Sequence, residues 1–305
     1  AVSGAGAIAI FLYAANSTDL SSAVTASGLT ALGEKQLGLY ALFCVLLLVL
    51  ALAIGRRSQP PVMAQMPVEK RKLPKRTVAM AVSALLLIPV TLFIGVFYLQ
   101  RQQYAIVSVL VLFECMLPFF LVFEGRKPQA RELVVIAVLC AISVAGRAAF
   151  FMLPQFKPVM AMTIISGVAL GGESGFLVGA LSMLVSNMFF SQGPWTPWQM
   201  FCMGIIGFLA GVLFRKGLLR RTRGSLCVFG VFSAIVIYGG IMNPASVLMW
   251  ANADALTWKT VLTYYVTGFP MDCVQASATV FFLLIAAEPM LEKLDRIKRK
   301  YGLME

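Results

Sequence analysis

The sequence predicts an all-α membrane protein of about nine spans, in which a six-helix core follows about three extra transmembrane helices. Three observations carry that reading. Of 305 residues, 60% are hydrophobic and only 12% charged, against roughly a quarter charged in a soluble domain. Nine apolar stretches approach the roughly 20 residues that a transmembrane helix needs. Lysine and arginine collect on alternate sides of those stretches, as they do when one side faces the cytoplasm. The first observation, with a mean hydropathy of +0.87, excludes a soluble enzyme.

Taken in order, the stretches are 38–55, 77–99, 104–123, 132–154, 159–171, 175–190, 199–214, 225–250 and 261–287. Residues 1–15 are apolar but too short to span, and with no initial Met they suggest a truncated or processed first helix. The fifth and sixth stretches are short and separated only by Gly172-Glu173-Ser174, which predicts a tight helical hairpin. Residues 56–76 contain four prolines among many charges and read as a cytoplasmic linker. A second charged break at 124–131 divides an N-terminal membrane extension, 1–125, from the core, 126–305.

Orientation follows from the basic residues. Segments 56–76, 126–131, 215–223 and 293–300 hold 20 of the 25 lysines and arginines. The alternate loops hold only Lys35, Arg101, Lys157 and Lys259, and Arg147 lies within a span. That asymmetry puts the C-terminus in the cytoplasm. The basic runs read as charge solvated by water or lipid headgroups, so the net charge of +12 gives no support to nucleic-acid binding.

Several chemistries are excluded. With no histidine, neither a histidine metal site nor a Ser-His-Asp or Cys-His mechanism is available. Cys44, Cys115, Cys140, Cys202, Cys227 and Cys273 all fall in apolar runs without CxxC spacing, and read as small buried hydrophobes. There is no Walker A sequence, so ATP hydrolysis would belong to a partner.

The core carries patterned small and polar residues. Ala137, Ala141, Ala145 and Ala149 repeat every four residues, a small-residue ridge that admits close helix approach, either inside the bundle or against a partner. Gly167 and Gly171, Gly175 and Gly179, and Gly207 and Gly211 repeat the spacing. All four tryptophans, Trp195, Trp198, Trp250 and Trp258, fall at the outer face. An aromatic belt would populate both faces, so these rings either contact a flat ligand or anchor the rim. Glu114, Arg147 and Asp272 are ionisable within spans. At 1.5 Å per residue, Arg147 lies roughly 22 Å from the cytoplasmic end and Asp272 roughly 16 Å from the outer end. A pair between them is expected, structural or forming a pocket floor, with Glu114 protonated or competing for Arg147. Asn243-Pro244, and Gly268 with Pro270, are expected to break the last two spans around an outward-opening cavity.

These residues resemble the substrate-binding S component of an energy-coupling factor (ECF) vitamin transporter. The similarity rests on Gln155-Phe156-Lys157-Pro158, on 171–180 (GGESGFLVGA), on 193–201 (GPWTPWQMF) and on 268–272 (GFPMD), in that order. It covers roughly residue 130 to the C-terminus, and within the family the first and third of these segments are most similar to cobalamin-type S components. The resemblance implies a non-enzymatic capture subunit in the bacterial cytoplasmic membrane, without a cofactor of its own. Its partners would be a transmembrane coupling subunit docked on Ala137, Ala141 and Ala145, and two ATPase subunits. The pocket would lie beneath the loops at 155–158, 191–198 and 251–260. Candidate substrate contacts are Arg147, Gln155, Phe156, Lys157, Asn187, Trp195, Trp198, Gln199, Asn243, Tyr265 and Asp272. The N-terminal helices are extra to the family core. Cobalamin or a related corrinoid is the favoured ligand, a different vitamin or precursor the alternative. A proton-coupled secondary transporter using Glu114 and Asp272, and an intramembrane enzyme using the same carboxylates, are weaker rivals. The chain shows no inverted repeat, and its two carboxylates lie in different halves, where they do not converge.

Overall fold

The computed structural model describes residues 86–97, 130–250 and 258–302, with isolated positions 49, 82, 106, 107, 109–111, 113 and 114. The expected first span at 38–55 (apart from residue 49), the linker at 56–76 and the loop at 251–257 lie outside the described residues, so a count of nine spans is not available. Regular structure among the described residues is entirely helical. In lipid this is what backbone chemistry requires, because only helices satisfy their own N–H and C=O groups within one segment.

The helices are α1 (Ile88–Phe97), α2 (Ala130–Ala149), α3 (Val159–Leu170), α4 (Gly172–Phe190), α5 (Trp195–Arg215), α6 (Arg223–Phe232), α7 (Gly240–Trp250) and α8 (Trp258–Tyr301). A π-helical turn, Ser233–Gly239, joins α6 to α7 without a break. The expected six-helix core is therefore present as α2, α3, α4, α5, the continuous α6–α7 rod, and α8. Five of these are long and apolar enough to cross a membrane. The sixth, α3, has 12 residues, about 18 Å at 1.5 Å per residue. Eleven of the 12 are buried, so α3 is wrapped by protein and has no need to match the bilayer.

Glycine sets the packing of α3, α4 and α5. A Cβ on Gly167 or Gly175 would strike the Gly207 carbonyl, one on Gly207 would strike the Gly175 carbonyl, and one on Gly211 would strike the Gly172 amide. The three backbones therefore touch directly, as small-residue spacing permits. The α3–α4 hairpin is tighter than expected. Gly171 alone makes the turn, at φ +101°, a conformation open to glycine, while Gly172, Glu173 and Ser174 form the first turn of α4.

Helix α2 is the least enclosed core helix. Ile136, Leu139, Cys140 and Ser143 are buried against the bundle, whereas Ala137, Ala141, Ala145 and Ala149 are exposed. The alanine ridge is thus not internal packing among the described residues. From the residues before 126, Ile88, Leu92, Val107 and Val111 join the main hydrophobic core, and α1 packs against α5. Thr91 donates a hydrogen bond to Glu114, and Arg147 bonds Ser186 and Asn187 instead, which corrects the option of a Glu114–Arg147 contact.

Two expected helix breaks are corrected. α7 runs through Pro244, and α8 runs through Pro270 and Pro289. Pro244 lacks an N–H and leaves the carbonyl of Gly240, four residues earlier, without its helical donor. The Tyr265 hydroxyl donates to that carbonyl at 2.7 Å. The irregularity lies instead in the π turn just upstream.

At the end away from residues 150–158, charges tie helices together. Arg221 pairs with Asp295 at 3.1 Å, Arg223 pairs with Glu288, and Lys298 donates to the Ala169 carbonyl at the end of α3 at 2.9 Å. Some residues of the basic runs are therefore structural. Cys140, Cys202, Cys227 and Cys273 are free thiols, the first three buried.

Candidate functional site

The site begins with Arg147. The sequence puts it deep within a span, but α2 ends at Ala149, so Arg147 occupies the last turn, where a helix C-terminus favours a cation. Its Nη1 donates to Ser186 Oγ at 2.5 Å and to Asn187 Oδ1 at 2.6 Å, both on α4. The guanidinium also lies over the Phe190 ring, 5.9 Å from its centroid, and Phe190 stacks on Phe151.

Asn187 is fully buried and extends the network. Its Nδ2 donates to Thr196 Oγ1 at 3.0 Å and to Gln199 Oε1 at 2.9 Å, both on α5. Gln199 Nε2 donates in turn to the Tyr238 hydroxyl in the π turn at 3.3 Å. One polar chain therefore crosses from α2 through α4 and α5 to the π turn, bringing together three expected residues: Arg147, Asn187 and Gln199. Ser186, Thr196 and Tyr238 belong to it and were missed. One turn before Arg147 in its own helix, the buried hydroxyl of Ser143 has no hydrogen-bond partner among the described residues.

The expected Arg147–Asp272 pair is absent. Asp272 accepts from Asn243 Nδ2 at 2.9 Å, and close packing fixes both side chains. A Cβ on Gly239 would meet the Asp272 carboxylate, and one on Gly268 would meet the Asn243 amide. Glycine on each helix thus admits the polar group of the other. Asn243, Tyr265 and Asp272 form a second cluster, which clamps α7 to α8. Tyr238 lies within electrostatic reach of both Arg147 and Asp272.

The loop 150–158 carries the remaining candidates. Gln155 adopts φ +54°, a left-handed conformation uncommon for a side chain other than glycine. Phe156 is buried, with ring centroids 5.6 Å from Phe282 and 5.8 Å from Phe281. It is therefore a core residue of the loop's anchorage and not an open contact surface. Lys157 Nζ donates to the Leu153 carbonyl at 3.3 Å. Burial, with the positive charge of Arg147 second, pushes the Lys157 ammonium down to about 8.

The tryptophans differ from a stiff loop platform. Trp195 and Trp198 lie in the first turn of α5. The Trp195 ring covers Gly193, where an added Cβ would strike it, and Trp198 is partly buried against the main core. Trp258 is 86% exposed. The side chain of Trp250 lies outside the described residues. Among the described residues no group of three His, Cys, Asp or Glu could hold a metal.

Comparison with known proteins agrees with this architecture. The family model described as "ECF-type riboflavin transporter, S component" matches residues 127–294. The chain is 34% identical over 177 residues to a UPF0397 protein of Aliivibrio salmonicida (strain LFI1238), covering 56% of this chain and 94% of that protein. It is 29% identical over 184 residues to a UPF0397 protein of Vibrio atlanticus (strain LGP32), covering 58% and 98%. Over 179 residues it is 25% identical to a UPF0397 protein of Aliivibrio fischeri (strain MJ11), covering 56% and 94%. No solved structure matches the chain. With an all-helical core and a matched segment spanning more than half its length, the chain belongs to the ECF-type riboflavin transporter S component family.

Proposed function

We propose that the chain is the substrate-capture subunit of an ECF importer, binding a vitamin-class micronutrient at the Arg147 network. It would pass the ligand inward with a membrane coupling subunit and two ATPase subunits. The observation that carries this reading is the two-faced α2. One face supplies Arg147 to the polar chain, while Ala137, Ala141 and Ala145 on another are exposed. A single rigid helix thereby links a site that can recognise a solute to a surface that can seat a partner helix. The charge asymmetry of the sequence supports an orientation with residues 150–158 outside and the C-terminus in the cytoplasm.

Two ligands come into question. The matching family is named for riboflavin, while cobalamin rests only on the sequence resemblance of segments 155–158 and 193–198. The geometry favours a compact ligand offering hydrogen-bond acceptors over a wide corrinoid. Trp198 is engaged by the protein's own core and Trp195 by Gly193, which leaves these two rings little free stacking surface.

The test is uptake into proteoliposomes containing this chain, an ECF coupling subunit and both ATPases. ATP-dependent accumulation of riboflavin, cobalamin or another vitamin is expected. Accumulation driven by a proton gradient alone, without the ATPases, would replace this reading with a secondary transporter.

A further inference from the structure

We infer that the captured ligand carries a negatively charged group, a carboxylate or phosphate, bound by Arg147 together with Lys157. The inference deepens the capture reading and rests on it.

The argument is one of unbalanced charge. Arg147 is half-buried, and its two hydrogen bonds go to neutral acceptors through Nη1 alone. Nη2 and Nε make no hydrogen bond among the described residues, and neither is fully buried. A guanidinium partly removed from water without a counter-charge is costly even at a helix end, and such a residue in a membrane bundle pairs or serves a site. Among the described residues, the carboxylate of the neighbouring cluster, Asp272, is committed to Asn243 and held against Gly239.

One further group adds to the excess. Lys157, from the adjoining loop, feels the Arg147 charge and has a backbone carbonyl for its partner. Tyr238 on the π turn ends the polar chain through Gln199 and brings no second charge-paired group to Arg147. Among the described residues, therefore, two neighbouring cations, Arg147 and Lys157, have no carboxylate bonded to either. A planar guanidinium with free N–H groups on one edge matches a carboxylate or phosphate in fork geometry. An anionic ligand supplies the missing charge, whereas a neutral ring system leaves it unmet.

The experiment is calorimetric binding to the purified full-length chain. Nicotinate, pantothenate, biotin and riboflavin 5′-phosphate are the anionic probes, with riboflavin as the neutral probe and thiamine as the cationic one. At least one anionic probe is expected to bind, with affinity falling about 10- to 100-fold in Arg147→Gln and partly restored in Arg147→Lys. Because the Arg147 variants risk misfolding, Lys157→Gln provides a second route. It lies in a loop, and is expected to weaken the same probe and to abolish the loss of affinity as pH rises through about 8. Binding of riboflavin or thiamine with no anionic probe bound overturns the inference and leaves vitamin capture standing. An anionic probe bound equally well by the original chain, Arg147→Gln and Lys157→Gln also overturns it. Silence across the whole panel counts against both the inference and the capture reading.

Discussion

Replacing Asn187 by Asp gives Arg147 a permanent internal carboxylate, and so separates the stability of the network from its binding function. Asn187 accepts one bond from a charged donor and donates two neutral ones. Its replacement by Leu removes about 1.5–3 kcal/mol for the charged bond and about 1 kcal/mol for each neutral bond, roughly 3–5 kcal/mol in all. Asp retains the contact to Arg147 as an ion pair. The Thr196 hydroxyl and the Gln199 amide both reorient to donate, since each carries donor and acceptor atoms. The folded state of Asn187→Asp is therefore expected within about 1 kcal/mol of the original. Its ligand, however, now competes with a built-in anion. Equilibrium unfolding in detergent micelles, beside calorimetric binding, reads both quantities. Asn187→Leu should lose stability and affinity together, and Asn187→Asp affinity alone. Equal destabilisation by Asp and Leu would refute the reasoning, because it would mean that Arg147 gains nothing from a carboxylate within reach.

Four further outcomes are expected. Ala141→Leu places bulk on the exposed face of α2, and should abolish ATP-dependent uptake while leaving ligand affinity unchanged; loss of affinity with assembly intact would contradict a docking role. Gly207→Ala drives a methyl into the Gly175 carbonyl and should cost about 1–3 kcal/mol, measured as a lower unfolding midpoint in detergent. Tyr265→Phe frees the Gly240 carbonyl beside Pro244 and should lower stability by about 1 kcal/mol without changing affinity. Affinity for an anionic ligand should be constant below pH about 8 and fall above it, since Lys157 is protonated on the acid side of its lowered value. Lys157→Arg should extend the plateau to higher pH, as isotherms across pH 6–10 would reveal.

The helical core was legible because lipid leaves the backbone few choices and because the charge alternation is strong. Small residues at four-residue spacing foretold the α3–α4–α5 contact, and the structure adds which backbones meet. Side-chain partnership was less legible. Arg147 and Asp272 looked like a pair because each is a lone charge at a similar depth. Depth along two helices says nothing of rotation about them, and the Gly239–Asp272 and Gly268–Asn243 contacts turn Asp272 to a different neighbour. The proline breaks failed for a related reason. A freed carbonyl ends a helix only when nothing else donates to it, and Tyr265, 25 residues away in sequence, does so. Ser186, Thr196 and Tyr238 were invisible because single hydroxyls in apolar helices are common. The adjacent pair Ser186-Asn187, one turn from the end of α4, was the available signal.

The most direct measurement is mass spectrometry of small molecules released from the purified chain, compared with Arg147→Gln prepared in the same cells. The account predicts one anionic organic micronutrient retained near equimolar amount by the original chain and lost from the variant. A neutral or cationic molecule retained equally by both proteins would contradict it.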